Sequence, residues 1–181
     1  MNGDACIKKA YAFILNSDFE QAIVWFEQAI AAEPDNASYY HKCAISCARS
    51  GKWSKAYEHA HRALELAEDE PEYIYHFQTI KARLQLSNAQ QLLTQQPPAL
   101  EEALLMLKQA VELDPLCFDA FYWIAMTYAE LGQLDEAAEH AREAIRLDPG
   151  HSAARRLFAD VSRRRRLMRY RINGQHRRRN R

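Results

Sequence analysis

The stretch FDAFYWIAMTYAELGQLDEAAEHAREAIRLDPG, residues 118–150, decides the fold of this chain. Its apolar and small residues recur at spacings of three and four, first within 121–128 and again within 137–144. Such spacings place side chains on one stripe of an α-helix. Gly132 separates the two patterns, and Pro149 follows the second. The stretch therefore predicts two helices that are joined by a tight turn and ended by a proline.

The same pattern occurs along most of the chain at a fixed period. The second helical pattern of the stretch recurs from Ala22, Ala56, Ala103 and Ala137. Ala22 and Ala56 are 34 residues apart, and so are Ala103 and Ala137. Small side chains allow two antiparallel helices to approach closely, while larger neighbours fill the grooves beside the contact. We therefore expect three pairs of closest approach within helix pairs, namely Ala10 with Ala22, Ala44 with Ala56, and Ala125 with Ala137.

This period and its phased alanines resemble the tetratricopeptide repeat (TPR), a helix-turn-helix unit of about 34 residues. The resemblance implies an all-α fold, a right-handed α-solenoid of about four TPR units with a C-terminal capping helix and a basic tail. It covers roughly residues 3–152 of a TPR domain that spans 1–162. The predicted units are 3–36, 37–70, 71–117 and 118–151, and the capping helix spans about 152–162.

The third unit contains an insertion before its second helix. Its first helix begins at Pro71 on schedule, but the interval from Ala56 to Ala103 exceeds the repeat period by about 13 residues. Either the first helix runs on to about Gln95, or Ser87–Gln90 caps a short extra helix. The sequence leaves both alternatives open.

The net charge of zero conceals two oppositely charged segments. Residues 1–160 carry 14 basic and 24 acidic residues, a net charge of −10, whereas residues 161–181 carry ten arginines and no acid. Like-charge repulsion and the lack of an apolar face predict that the tail, 163–181, is frayed or disordered. Charge asymmetry of this kind is typical of an interaction tail.

Several classes of protein are disfavoured by the sequence. The longest apolar runs are six residues, far below the roughly 20 that cross a bilayer, and residues 1–20 do not resemble an export signal. We therefore expect a cytoplasmic protein with reduced cysteines and no membrane span. Phosphate loops, GxSxG, HExxH and CxxC motifs are absent, so we expect neither catalysis nor a cofactor.

One pair of cysteines has a spacing that suits a metal site. Cys43 and Cys47 lie one helical turn apart, and His41 or His59 could join them as a ligand. In the repeat frame, however, both cysteines fall on the buried stripe, where a free cysteine behaves as a small apolar residue. The sequence therefore favours buried thiols and no metal.

The resemblance implies a non-catalytic scaffold that holds a peptide or a partner helix in the concave groove lined by the first helix of each unit. Some TPR proteins grip a C-terminal carboxylate with a Lys and an Asn one turn apart, but Ile7 and Tyr11 hold those places here. This departure favours an apolar or amphipathic segment as the ligand. The predicted groove residues are Ile7, Tyr11, His41, Ile45, Arg49, Tyr75, Thr79, Arg83, Tyr122 and Met126.

The basic tail suggests a second function and two further roles. Its arginines could contact the phosphates of RNA or DNA, which makes a nucleic-acid-associated factor the alternative function. The tail could instead enter the acidic groove of its own chain or of a second copy, or only improve solubility. The arginines singled out are Arg163, Arg164, Arg165, Arg166, Arg169 and Arg171.

Overall fold

The computed structural model describes the backbone of residues 2–179 and the side chains of residues 2–170. The described residues form α-helices joined by short turns, as the sequence predicts. In chain order the helices are α1 (Gly3–Leu15), α2 (Phe19–Ala32), α3 (Ala37–Arg49), α4 (Trp53–Leu66), α5 (Pro71–Leu93), α6 (Leu100–Leu113), α7 (Phe118–Glu130), α8 (Leu134–Leu147) and α9 (Ser152–Arg179).

The chain divides into two compact units, which differs from the single domain predicted over 1–162. Unit 1 spans Met1–Ser87 and unit 2 spans Asn88–Arg181. In unit 1, α1 packs on α2, α2 on α3, and α3 on α4. In unit 2, α6 packs on α7, α7 on α8, and α8 on α9. The boundary falls within α5, because the insertion lengthens that helix to 23 residues where α1, α3 and α7 have 13.

Alanines are buried at the places where the sequence predicts contacts between helices. All six members of the three predicted pairs are 0% exposed. Larger side chains then fill the space beside these contacts, with Ile23 and Phe26 fully buried in unit 1 and Leu107 and Ile124 fully buried in unit 2. The small-residue stripe is therefore the core of each helix pair.

The turns inside three helix pairs, α1–α2, α3–α4 and α7–α8, each contain a residue with positive φ. Gly51 has a φ of 72° and Gly132 a φ of 76°, a conformation that costs glycine little. Ser17 takes the corresponding place after α1, with a φ of 58°. The side chain of Asp18 then caps α2 by accepting a hydrogen bond from the backbone N–H of Gln21 at 3.1 Å.

The insertion in the third unit lengthens the first helix of that unit and does not form a separate short helix. The single helix α5 runs from Pro71 to Leu93, so Ser87 lies inside it and caps no separate helix. The stretch is rich in Leu, Ala and Gln, which are strong helix formers, and no proline interrupts it before Pro97. Leu86 is buried, and Leu92 is half-buried.

The capping helix continues past residue 162, and fraying or disorder of 163–181 stays a prediction. Helix α9 runs from Ser152 to Arg179 and packs on α8 and α7. Arginine is a good helix former, and side-chain contacts with unit 2 offset the repulsion between neighbouring charges. The side chains of 171–181 lie outside the described residues.

Candidate functional site

Three of the predicted groove residues line one cavity in unit 1. The cavity has a volume of about 160 Å³ and lies between α1, the start of α2, and α3. Tyr11, Ile45 and Arg49 occur on the predicted face of their helices and line its wall. The full lining consists of Tyr11, Ile14, Phe19, Phe26, Lys42, Ile45, Ser46 and Arg49.

The floor of this cavity is aromatic. Phe26 is fully buried, and Tyr11 meets it edge to face, with ring centroids 6.1 Å apart and an interplanar angle of 86°. Aromatic pairs favour this arrangement because the positive edge of one ring meets the negative face of the other. Tyr11 itself is 45% exposed, so one side of its ring is free to contact a ligand.

The rim of the cavity carries two cations. The Arg49 guanidinium lies over the ring of Phe19, 5.6 Å from its centroid, and the Lys42 ammonium donates a hydrogen bond to Ser38 Oγ at 2.7 Å. Neither cation forms an ion pair with a carboxylate of the described residues. An apolar cavity with a positive rim suits an apolar side chain that has a carboxylate beside it.

Two predicted groove residues, Ile7 and His41, are packed inside unit 1 instead. Ile7 is 9% exposed and belongs to the core. The His41 ring is 6% exposed and packs on α5, with its Nε2 2.7 Å from His76 Nδ1 and its centroid 4.4 Å from that of Tyr73. Burial is the main cause that lowers the pKa of His41. The prediction of a groove role is therefore wrong for both side chains, because the next helix covers this part of α1 and α3.

The predicted groove residues of α5 do not line the unit 1 cavity. Tyr75 is 65% exposed, and the Thr79 hydroxyl donates to the Tyr75 carbonyl oxygen at 3.0 Å. Arg83 is half-buried and has partners within the chain. A groove role for these three residues remains a prediction.

In unit 2, the chain itself covers the predicted groove face of α7. Tyr122 stacks on Phe118, with centroids 6.0 Å apart, and lies 5.6 Å from the ring of His151, just before α9. Met126 lines a second cavity of about 340 Å³, which α9 closes on one side. That cavity is lined by Met126, Ala129, Glu130, Leu157 and Arg164.

Four of the tail arginines contact unit 2. Arg164 donates a hydrogen bond to the Ala129 carbonyl oxygen at 3.1 Å, near the end of α7. The other three pair with carboxylates, namely Arg163 with Asp160 (2.8 Å), and Arg165 (3.1 Å) and Arg169 (3.6 Å) with Asp135. Arg166 is exposed, and the side chain of Arg171 lies outside the described residues. Because Arg163 and Asp160 both lie in α9, only the contacts of Arg164, Arg165 and Arg169 join the first half of the tail to α7 and α8.

The structure also shows what surrounds the cysteine pair. Cys43 and Cys47 are fully buried, as predicted, and His59 of α4 lies beside them. His41, the other ligand that the sequence suggests, points to α5 instead. No helix within residues 2–179 is both long and apolar enough to cross a membrane.

Sequence reasoning missed Phe19, Phe26, Lys42 and Ser46 of the unit 1 cavity. Phe26 occupies the usual aromatic place of the repeat and is interpreted as core. Phe19 lies in α2 and Lys42 lies in α3, and neither falls on the predicted groove stripe of a first helix. A charged residue adjacent to the predicted groove stripe of α3 was the available signal for Lys42.

Comparison with known proteins identifies the repeats. Models of the tetratricopeptide repeat match residues 3–36 and 100–152. Two crystal structures of MamA align with this chain at TM-scores of 0.53 and 0.51. The alignment with the first has 18% sequence identity and covers 94% of this chain and 86% of the MamA chain. The alignment with the second has 20% sequence identity and covers 87% of this chain and 85% of the MamA chain. A search of curated protein sequences gave no match. At these identities the likeness concerns the fold, and the matched models identify tetratricopeptide repeats at residues 3–36 and 100–152.

Proposed function

We propose that this chain is a non-catalytic interaction module that binds a peptide segment of a partner protein in the unit 1 cavity. The observation that carries the proposal is the combination of an aromatic floor with two rim cations, Lys42 and Arg49. The preferred segment has an apolar side chain that enters the cavity and an Asp or Glu within the next one or two residues.

The volume of the cavity supports one anchor side chain. A cavity of about 150 Å³ lined by apolar side chains is large enough to hold benzene. The 160 Å³ of this cavity therefore suits a side chain such as Leu or Phe. Burying such a side chain contributes about 1.5–3 kcal/mol.

The rim cations add charge-assisted hydrogen bonds to the neighbouring carboxylate. Because Arg49 is exposed, solvent screening reduces this gain to about 1 kcal/mol or less. Association also costs orientational and side-chain freedom. The two contributions together reach about 4 kcal/mol at most, so we expect a weak complex, with a Kd on the order of 1 mM for one short peptide.

The test is selection from a displayed library of random peptides, followed by binding measurements on synthetic peptides. We expect selected sequences to share the apolar–acidic pair. Ile45→Glu and Arg49→Glu should each weaken their binding by about tenfold or more, which corresponds to ~1.4 kcal/mol. Lys8→Glu, an exposed charge reversal on α1, is the matched control and should bind as the unmodified chain does.

Two results would contradict the proposal. One is a library that yields no binding sequence. The other is a set of selected peptides that bind the Ile45→Glu and Arg49→Glu variants as tightly as the unmodified chain, with thermal unfolding showing that both variants are folded. Either result would remove the unit 1 cavity as the binding site.

The alternative, binding of RNA through the arginine tail, has weaker support. RNA phosphates would have to replace the contacts that Arg163, Arg164, Arg165 and Arg169 make within unit 2. Electrophoretic mobility with total RNA at two salt concentrations tests this directly. A shift that weakens steeply with salt, together with no peptide selection, would favour the alternative function.

A further inference from the structure

Two cysteines and one histidine form a compact buried cluster in unit 1, away from the cavity proposed to bind peptide. Cys43 and Cys47 lie one turn apart on α3, and His59 faces them from α4 of the same repeat. One ligand atom from each residue, the two Sγ atoms and an imidazole nitrogen, lie within 4.8 Å of one another. Both cysteines are 0% exposed, and His59 is largely covered.

The His59 ring has a buried nitrogen without a partner. Its Nε2 makes no hydrogen bond to any described residue, and the nearest carboxylate oxygen, Glu27 Oε1, is 3.8 Å away. That distance exceeds the length of a hydrogen bond. A buried polar atom left unpaired destabilises a fold by about 1–3 kcal/mol, so native structures seldom contain one. A ligand bound at Nε2 removes this cost.

Two thiolates and one imidazole are a donor set that zinc prefers. In a tetrahedral site the Zn–S distance is about 2.3 Å and the Zn–N distance about 2.0–2.1 Å, which places the ligand atoms roughly 3.4–3.8 Å apart. Contraction of the cluster by at most about 1.4 Å meets this requirement and lies within the reach of side-chain rotation.

The local charges also fit a divalent ion. Two thiolates neutralise one Zn²⁺, and the adjacent pair of Glu27 and Lys55 is neutral as a unit.

We infer that Cys43, Cys47 and His59 bind one Zn²⁺ ion, which joins α3 to α4 and leaves a fourth coordination position on the side of Glu27. The sequence alone favours buried thiols at this place, and the unpaired His59 Nε2 is the observation that changes the interpretation. The role of the ion is structural, because the three ligands belong to the two helices of one repeat and the metal closes the contact between them.

The experiment uses the full chain, freed of metal with a chelator and kept reduced. Zn²⁺ alone is titrated by calorimetry, and Co²⁺ replaces it as a spectroscopic probe, because thiolate ligation gives Co²⁺ a sulfur-to-metal charge-transfer band. We expect one Zn²⁺ per chain at this site, a thiolate band with Co²⁺, and no binding of Mg²⁺, which prefers oxygen ligands. Saturation at 100 times the Kd should raise the midpoint of thermal unfolding by on the order of 10 °C.

Variants localise the site. Cys43→Ala, Cys47→Ala and His59→Ala should each weaken Zn²⁺ binding about 100-fold or more, and the cysteine variants should reduce the thiolate band. Cys6→Ala is the matched control, since Cys6 is also a buried free cysteine of unit 1 but lies outside the cluster, and it should bind as the unmodified chain does. Zn²⁺ held instead by the other group of ligands, His41, Glu72 and His76, would give no thiolate band.

Three outcomes would overturn the inference: no Zn²⁺ binding by the unmodified chain, binding without a thiolate band, or equal binding by the Cys43→Ala/Cys47→Ala double variant. Where a variant fails to fold without metal, the unmodified chain decides the matter. Its unfolding midpoint in chelator must then rise when Zn²⁺ is restored, and an unchanged midpoint counts against the site.

Discussion

Replacing Ala10 by leucine tests the claim that small side chains set the distance between α1 and α2. Ala10 is 0% exposed and belongs to the core of unit 1 together with Ala22. Leucine adds three carbon atoms where the structure has no space, and overpacking of this kind costs about 1–3 kcal/mol. For a domain of this size the midpoint of thermal unfolding should fall by about 4–8 °C per kcal/mol, hence by roughly 4–24 °C.

The control lies two residues away on the same helix. Ala12 is exposed, so Ala12→Leu changes the same atoms without entering the core. It should change the free energy of unfolding by about 0.5 kcal/mol or less. Tryptophan fluorescence isolates unit 1 when both variants are made in a Trp123→Phe background, because the remaining tryptophans, Trp25 and Trp53, both lie in unit 1.

A double-mutant cycle shows whether Ala22 is the residue opposite. Ala22→Gly alone should cost about 0.5–1 kcal/mol, since glycine weakens a helix. If the two side chains meet, Ala22→Gly makes room for the leucine, and the double variant should be more stable than the sum predicts by about 0.5–3 kcal/mol. Equal stability of Ala10→Leu and Ala12→Leu would refute the reasoning, and strict additivity in the cycle would show that Ala22 is not the partner.

Three further predictions concern the turns, the tail and alkaline stability. Gly132→Ala should lower the free energy of unfolding by about 1 kcal/mol because φ is 76°, whereas Ser17→Gly, at a φ of 58°, should raise the stability or leave it unchanged in chemical denaturation. Asp135→Asn removes an exposed partner of Arg165, so it should cost less than about 1 kcal/mol yet speed amide exchange in 163–170 at low salt. Burial, with the charges of two nearby carboxylates, raises the pKa of Tyr39 to about 12, so the folded state keeps a proton that the unfolded state loses near pH 10. The contribution of the protonated Tyr39 hydroxyl to the free energy of unfolding is thus complete below pH 10 and is lost as the pH rises towards 12. When chemical denaturation is measured from pH 9 to 11, the Tyr39→Phe variant should therefore lose less stability than the unmodified chain.

The helices were predictable because their signals are local. The period of three and four, the glycines at the turns and the prolines between units all act over a few residues, so the starts of α3 at Ala37 and α7 at Phe118 follow from the sequence alone. The length of α5 was not predictable in this way. Its extension and a separately capped short helix use the same helix-forming residues, and only the packing of the folded chain distinguishes the two.

The candidate site was predictable only in part, because helical phase gives a direction but not a neighbour. Tyr11, Ile45 and Arg49 follow from phase and do line the cavity. Ile7 and His41 have the same phase and are buried, since another helix packs there. The signal for His41 lies in His76, 35 residues away, and no local rule connects the two residues.

The repeat itself explains how His59 comes to face two cysteines. In an antiparallel helix pair, residues at equal distances from the turn lie opposite each other, and Cys43 and His59 are each eight residues from Gly51. The corresponding pair in the first repeat also meets across the helices, since the Lys9 ammonium lies 4.1 Å from the ring centroid of Trp25. In the fourth repeat His140, the equivalent of His59, meets Tyr128, the equivalent of Cys47, with the two rings 5.4 Å apart.

The same backbone position therefore supports different chemistry in each repeat. A cation over a ring fills it in the first unit and a pair of rings fills it in the fourth, and neither combination supplies two thiols beside an imidazole. The architecture fixes which side chains meet, whereas the residues at those places decide what the contact does. We therefore expect the unmodified chain to bind Zn²⁺ at the second repeat alone. Ile124, Tyr128 and His140 of the fourth repeat are the equivalents of Cys43, Cys47 and His59. Replacing Ile124 and Tyr128 by cysteine, beside the histidine already present, should create a second site with the same Co²⁺ thiolate band. A transferred set that binds no Zn²⁺ in a folded variant would show that opposition across the turn is insufficient, and that Glu27 and Lys55 around the second-repeat cluster are also required.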